Sequence, residues 1–229
     1  ESVAASQVAH IQSKLRTAGR LLDVGCGDGT FARKMAGIGW QSYGLDPALH
    51  KTITENHAGG YVKLCSDNLA DLPDEDGFDL ITLWDVVEHV EKPDQLLSDA
   101  FTRLKPGGLM IVETGNYQCT ARLCNASTWW NFQMDHRWYL APPQLRTLLE
   151  SIGLEHVDLA DQVLRPWWHG HMDTQPPTMR SLVKALVLKP SCARQTWKLH
   201  QRLSDASTHW HGWSGLEIMT MSGRKPFLS

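Results

Sequence analysis

No stretch of this sequence approaches eighteen consecutive apolar residues, so no membrane-spanning helix is expected. The N-terminal residues also lack the charged-then-apolar layout of a signal peptide. There is no basic block. The net charge is −3 with both signs dispersed along the chain, whereas nucleic-acid phosphates are normally met by a basic face. Nucleic acid is therefore not expected as a partner. The five cysteines (Cys26, Cys65, Cys119, Cys124 and Cys192) include no Cys-x-x-Cys pair. An odd number without metal-ligand spacing favours reduced thiols and a cytoplasmic setting. Internal repeats and long linkers are missing too, and 229 residues suffice for one well-buried domain but hardly for two.

What is present is organised around Leu21-Leu22-Asp23-Val24-Gly25-Cys26-Gly27-Asp28-Gly29. Two leucines, an aspartate and a valine read as the end of a buried parallel strand. The glycines permit positive φ and close approach of a ligand to the backbone, and a helical pattern begins at Thr30. Strand, glycine turn and helix start make the nucleotide-binding corner of an open α/β sheet. The dinucleotide fingerprint would need a third glycine at position 30, where this chain has Thr30, which argues against an NAD-dependent oxidoreductase.

Along the chain, Val8, Ile11 and Leu15 predict an amphipathic helix over 3–16. Strands are expected at 20–24, 40–45, 61–65, 78–84 and 109–113, with helices at 30–36 and 93–104. Asp46-Pro47 closes the second strand and predicts a helix beginning at Pro47. Asp46 also lies about twenty residues beyond the glycine turn, where an acid can accept ribose hydroxyls. Pro142-Pro143 open a helix through Ser151, and strands are expected at 154–163 and 215–221, the second antiparallel to the first. Eight of the ten tryptophans follow position 128.

The segment 21–29, with its acid ahead of the glycines, resembles motif I of the class I S-adenosylmethionine-dependent methyltransferases. Phe78-Asp79, Ile81 and Val86-Val87-Glu88-His89-Val90 resemble the fourth motif of small-molecule members, especially the ubiquinone-biosynthesis-like branch. Leu104-Lys105-Pro106-Gly107-Gly108 resembles the family's turn into strand five, and His136 with Pro142, Leu145 and Gly153-Leu154 resembles the same branch. The likeness is dense over 20–114. It implies one Rossmann-like α/β domain over 1–229, with seven strands in the order 3-2-1-4-5-7-6 and strand seven antiparallel. Helical cap insertions would occupy about 115–140 and 164–213.

The resemblance further implies S-adenosylmethionine as cofactor and S-adenosylhomocysteine as its product. Gly25, Cys26 and Gly27 would meet the methionine end, supported by Asp23, with Trp84, Asp85 and Val86 beside it. Asp46 and Pro47 would serve the ribose; Asp67, Asn68 and Leu69 would serve the adenine. A hydroxyl acceptor needs a general base, for which His136 is the first candidate and His89 the second. Tyr117, Trp129, Trp130, Trp138, Trp167 and Trp168 could line a pocket for a flat or apolar small molecule. Two His-x-His pairs, at 169/171 and 209/211, offer imidazoles to a metal, but the resemblance supports none and no metal is expected. Methylation at oxygen is the leading expectation. Methylation at nitrogen and a catalytically silent cofactor-binding subunit are the alternatives; oligomeric state is left open.

Overall fold

The computed structural model describes residues 3–57, 59–66, 72, 77–119, 122, 129–160 and 218–227. Its elements are α1 (Val3–Lys14), β1 (Arg20–Val24), α2 (Thr30–Gly37), β2 (Gln41–Leu45), β3 (Ile53–His57) and β4 (Gly60–Cys65). After these come β5 (Phe78–Trp84), α3 (Pro93–Arg103), β6 (Leu104–Gly115), α4 (Pro142–Ser151), β7 (Glu155–Leu159) and β8 (Ile218–Arg224). The strands join in one sheet in the order β3-β4-β2-β1-β5-β6-β8-β7. Strand β1 runs parallel to β2 and β5, whereas β8 is antiparallel to both β6 and β7.

Both faces of the sheet are covered, which is why β1 reads as a continuous apolar run. Successive side chains of a strand point to opposite faces. Leu21 thus belongs to a buried cluster with Ile11 of α1 and with Phe31 and Met35 of α2, while Leu22 belongs to the larger cluster on the other face, which includes Leu97 of α3 and Leu145 and Leu149 of α4. Leu21 and Leu22 have no exposed surface, and burial of one such side chain stabilises by about 1.5–3 kcal/mol. The two prolines at the start of α4 need no amide partner there, and the Gln144 side chain accepts the Ala141 N–H at 2.9 Å.

Without β3, the order is the one the resemblance implies; β3 is an eighth strand. The expectation of a helix from Pro47 is corrected here. Asp46-Pro47-Ala48-Leu49 forms a turn, with Asp46 Oδ1 accepting the Ala48 N–H at 2.8 Å and the Asp46 carbonyl accepting the Leu49 N–H at 3.0 Å. The chain then runs into β3, which pairs antiparallel with β4. Arg33 of α2 pins the new strand through two 2.8 Å bonds to the Glu55 carboxylate. Asp before Pro starts turns as well as helices, and here the β-branched Ile53-Thr54 pair decides for the strand. The strand expected over 215–221 lies at Ile218–Arg224, and the one expected over 154–163 is limited to Glu155–Leu159. The cap insertion at 164–213 lies outside the described residues. Among the described residues no helix is long and apolar enough to cross a membrane.

Candidate active site

Parallel strands β1, β2, β5 and β6 all end at one edge of the sheet, the usual ligand edge of such folds. The glycine turn sits there. Gly25 has φ +73°, and a Cβ at this position would lie 2.4 Å from a Val86 methyl, so only glycine lets the two loops close against each other. Its N–H and that of Cys26 both donate to the Leu45 carbonyl, at 2.7 and 3.0 Å. Gly27, at φ +54°, has open space where a side chain would stand. The turn is held from behind and open in front.

Asp46, at the end of β2, accepts the Gly27 N–H through Oδ2 at 2.8 Å. Asp23 does not reach the turn by a side-chain bond of this kind. Its carboxylate is buried in the sheet, accepts the Thr82 hydroxyl at 2.8 Å, and is pushed up to about 7 by that burial. Cys26 is equally unsuited to chemistry of its own: burial, then the charges of Asp23 and Asp46, push its thiol up to about 12. Its Sγ lies where a Cβ on Gly44 would fall, so its bulk fills the gap between β1 and β2.

Beyond β5 the backbone turns sharply at Asp85, a non-glycine residue with φ +53°, whose N–H donates to the Glu113 carbonyl at 3.0 Å. A cavity of about 420 Å³ opens between this turn and the glycine turn. Gly25, Asp46, Pro47, Asp85, Val86 and His89 are among its lining residues. Trp84 does not line it; the indole packs edge-on against Phe31 at 5.4 Å. Asp67, Asn68 and Leu69 lie outside the described residues.

His89 and His136 come together although they are 47 positions apart. Their rings meet edge-to-face at 4.6 Å between centroids. The Glu88 carbonyl accepts the N–H groups of Arg137 and Trp138, at 2.7 and 3.2 Å, and so ties the His136 segment to the turn after β5. His89 Nδ1 is 3.2 Å from the Asp135 carbonyl oxygen and 3.4 Å from its carboxylate. His136 bonds the Asn131 backbone, while its Nδ1 is buried without a partner. Burial and the adjacent His89 hold His136 below the usual imidazole range, which favours the neutral ring.

Sequence reasoning left Glu88 outside the site. A carboxylate oxygen of Glu88 and one ring nitrogen each of His89 and His136 lie within 4.8 Å of one another. Glu88 Oε2 is buried and unpartnered, and burial pushes the acid up to about 7. Glu113, fully buried on β6, is raised to about 7 in the same way and accepts the Thr220 hydroxyl at 2.9 Å. A carboxylate and two imidazoles at such separations have the composition of a proton relay and of a cation site alike. The available signal was the placement of a charged residue after Val86-Val87, where the register of an apolar turn would bury it.

Of the aromatic residues expected to meet substrate, Tyr117, Trp129 and Trp130 form one cluster with Phe132 and Tyr139, and Tyr139 reaches His136. Trp129 is buried within it. Trp138 stands apart, half exposed, with its indole N–H on the Val90 carbonyl at 2.9 Å. Trp167, Trp168 and both His-x-His pairs lie outside the described residues.

A family model described as a methyltransferase domain matches residues 2–159. The chain belongs to this methyltransferase family. Its fold is that of the class I S-adenosylmethionine-dependent methyltransferases. A ubiquinone biosynthesis O-methyltransferase from Cereibacter sphaeroides is 32% identical over 161 residues, covering 64% of this chain and 64% of that protein's length. Among solved structures, a SAM-dependent methyltransferase from Archaeoglobus fulgidus aligns with TM-score 0.59 at 18% identity, over 97% of this chain and 93% of that one. A 1,6-didemethyltoxoflavin-N1-methyltransferase from Burkholderia thailandensis, bound to its substrate and S-adenosylhomocysteine, aligns with TM-score 0.57 at 14% identity, over 99% and 79%. At these identities the structural likeness speaks for the fold.

Proposed function

We propose that this methyltransferase acts on a hydroxyl of a small-molecule acceptor, with His136 as general base. The observation that carries the reading is the buried, unpartnered Nδ1 of a neutral His136, tied by the Glu88 carbonyl to the turn that lines the cavity. An imidazole in that state accepts a proton and has no other bond to lose in doing so. His89, held by Asp135, orients the turn and faces His136. The C. sphaeroides relative's name, an O-methyltransferase, supports oxygen as the acceptor atom.

The residues present fit the cofactor. Backbone at Gly25, Cys26 and Gly27, with Asp85 and Val86, would meet the methionine end, and Asp46 and Pro47 the ribose; Asp67, Asn68 and Leu69 would take the adenine. Asp46 uses one oxygen for Gly27 and the other for Ala48, yet each retains a lone pair for a hydroxyl. When bound, S-adenosylmethionine supplies an activated methyl group, so the protein's work is to orient the acceptor and take its proton. The cluster around Tyr117, Trp129 and Trp130 would present aromatic surface on the acceptor side, with Trp138 and the two tryptophans at 167–168 as further candidates.

Thermal unfolding with S-adenosylmethionine, S-adenosylhomocysteine and NAD tests the cofactor assignment. A ligand at a hundred times its Kd adds about 2.7 kcal/mol, a readable rise in midpoint. A rise with NAD alone overturns the assignment. Transfer of isotope-labelled methyl to a panel of hydroxylated acceptors then tests the reaction. His136→Ala is expected to lower turnover by about 10²–10⁴-fold while the S-adenosylhomocysteine response persists; intact turnover in that variant removes His136 as the base.

A further inference from the structure

We propose that Glu88 is the positioning residue of His136, its buried carboxylate compensating the charge the imidazole acquires when it takes the acceptor's proton. The inference rests on the reading of His136 as base.

Three observations support it. The two atoms without partners, Glu88 Oε2 and His136 Nδ1, belong to groups whose polar atoms approach within 4.8 Å. At that separation opposite charges interact strongly once water is excluded. The backbone of the same residue fixes the distance, since the Glu88 carbonyl accepts the N–H groups of Arg137 and Trp138, the two residues that follow His136. Finally, the carboxyl is immobilised from its other side by a hydrogen bond with the Thr114 side chain. A buried acid with one oxygen committed and the other aimed at nothing is costly unless it acquires a partner during function.

The other charged groups around the pair do not replace it. Asp135 faces both histidines and opposes the downward shift of His136, but it is mostly exposed, so water screens part of its charge. His89 opposes a positive charge on His136, and Glu113 opposes a negative one on Glu88. Burial and His89 alone would leave His136 a weak base. An ionised Glu88 carboxylate would pull in the opposite direction and bring the ring closer to the working pH.

The test is a histidine-ring NMR titration of the whole protein in complex with S-adenosylhomocysteine, comparing wild type with Glu88→Gln and Glu88→Asp. The Gln variant is expected to move the His136 midpoint down by about one pH unit or more. The Asp variant, which keeps the charge across a longer gap, should fall between the two. Should Glu88→Gln fail to bind the cofactor product, Glu88→Asp carries the comparison. Unchanged His136 midpoints in both variants would overturn the proposal. So would micromolar zinc or magnesium ions abolishing the titration, because the three side chains would then be serving a metal. The titration needs no acceptor, so it stands apart from turnover: a His136→Ala enzyme that still methylates defeats the base and leaves the measured pair intact.

Discussion

Asp46 Oδ2 and the Gly27 N–H meet at 2.8 Å, so the acid closing β2 is bonded to the glycine turn closing β1. The same carboxylate takes the Ala48 N–H. One side chain thereby fixes the shape of the turn, and it is the same side chain proposed to take the ribose.

Asp46→Asn keeps the shape of the side chain but removes its charge. Hydrogen bonds to charged groups contribute about 1.5–3 kcal/mol, which corresponds to roughly 10–150-fold in affinity. The Kd for S-adenosylhomocysteine, measured by calorimetry, is expected to rise within that range. An unchanged Kd would place the ribose elsewhere.

Gly25→Ala should be more severe. The new methyl would lie 2.4 Å from Val86 Cγ2, and the left-handed φ adds about 1–2 kcal/mol of strain. The variant is expected to lose its thermal response to S-adenosylhomocysteine. Gly27→Ala, where nothing stands within 4 Å, should keep an unliganded midpoint nearer the wild type than Gly25→Ala does.

The buried acids give stability a pH dependence of unusual sign. Asp23 is raised from the ordinary carboxylate range to about 7 in the folded chain, with burial the main cause. Between about pH 4 and pH 7 the folded state therefore holds a proton that the unfolded state has released, and stability from this group declines as pH rises. Asp23→Asn removes the titration. Its melting temperature relative to wild type should become more favourable from pH 5 to pH 8, as followed by circular dichroism. A constant difference would show that Asp23 is ionised at little cost.

Gly115→Ala tests the support of the proposed base. Gly115 ends β6, and a Cβ there would fall 1.8 Å from Asn131 Nδ2, on the residue whose backbone bonds the His136 ring. Turnover should drop while S-adenosylhomocysteine still raises the melting temperature, because the glycine turn lies on other strands. Equal loss of both would mean general unfolding.

The sheet was legible because its strands carry their own boundaries. Leu21-Leu22 could only be a strand buried on both faces, and the Asp46 spacing follows from the way β1 and β2 lie side by side. The segment after Asp46 was misread because Asp-Pro opens helices and turns alike. Ile53 to His57 followed by Gly59-Gly60 is a hairpin pattern that the helix expectation passed over, and His57 pairs with Gly60. His136 was legible as a candidate, but Glu88 was not: its place after Val86-Val87 hints at burial, while the return of residues 137–138 onto its carbonyl is a long-range contact that local pattern does not encode.

Strand β8 lies between β6 and β7, yet more than fifty residues separate it from β7 in sequence. As the chain leaves the ribosome, β6 must wait with one flank unzipped, and β7 can join the sheet only through a strand made later. That interval exposes a twelve-residue strand, Leu104–Gly115, to neighbouring nascent chains. The time taken to translate from β7 to β8 should therefore govern how much protein is recovered unaggregated, independently of how stable the finished molecule is.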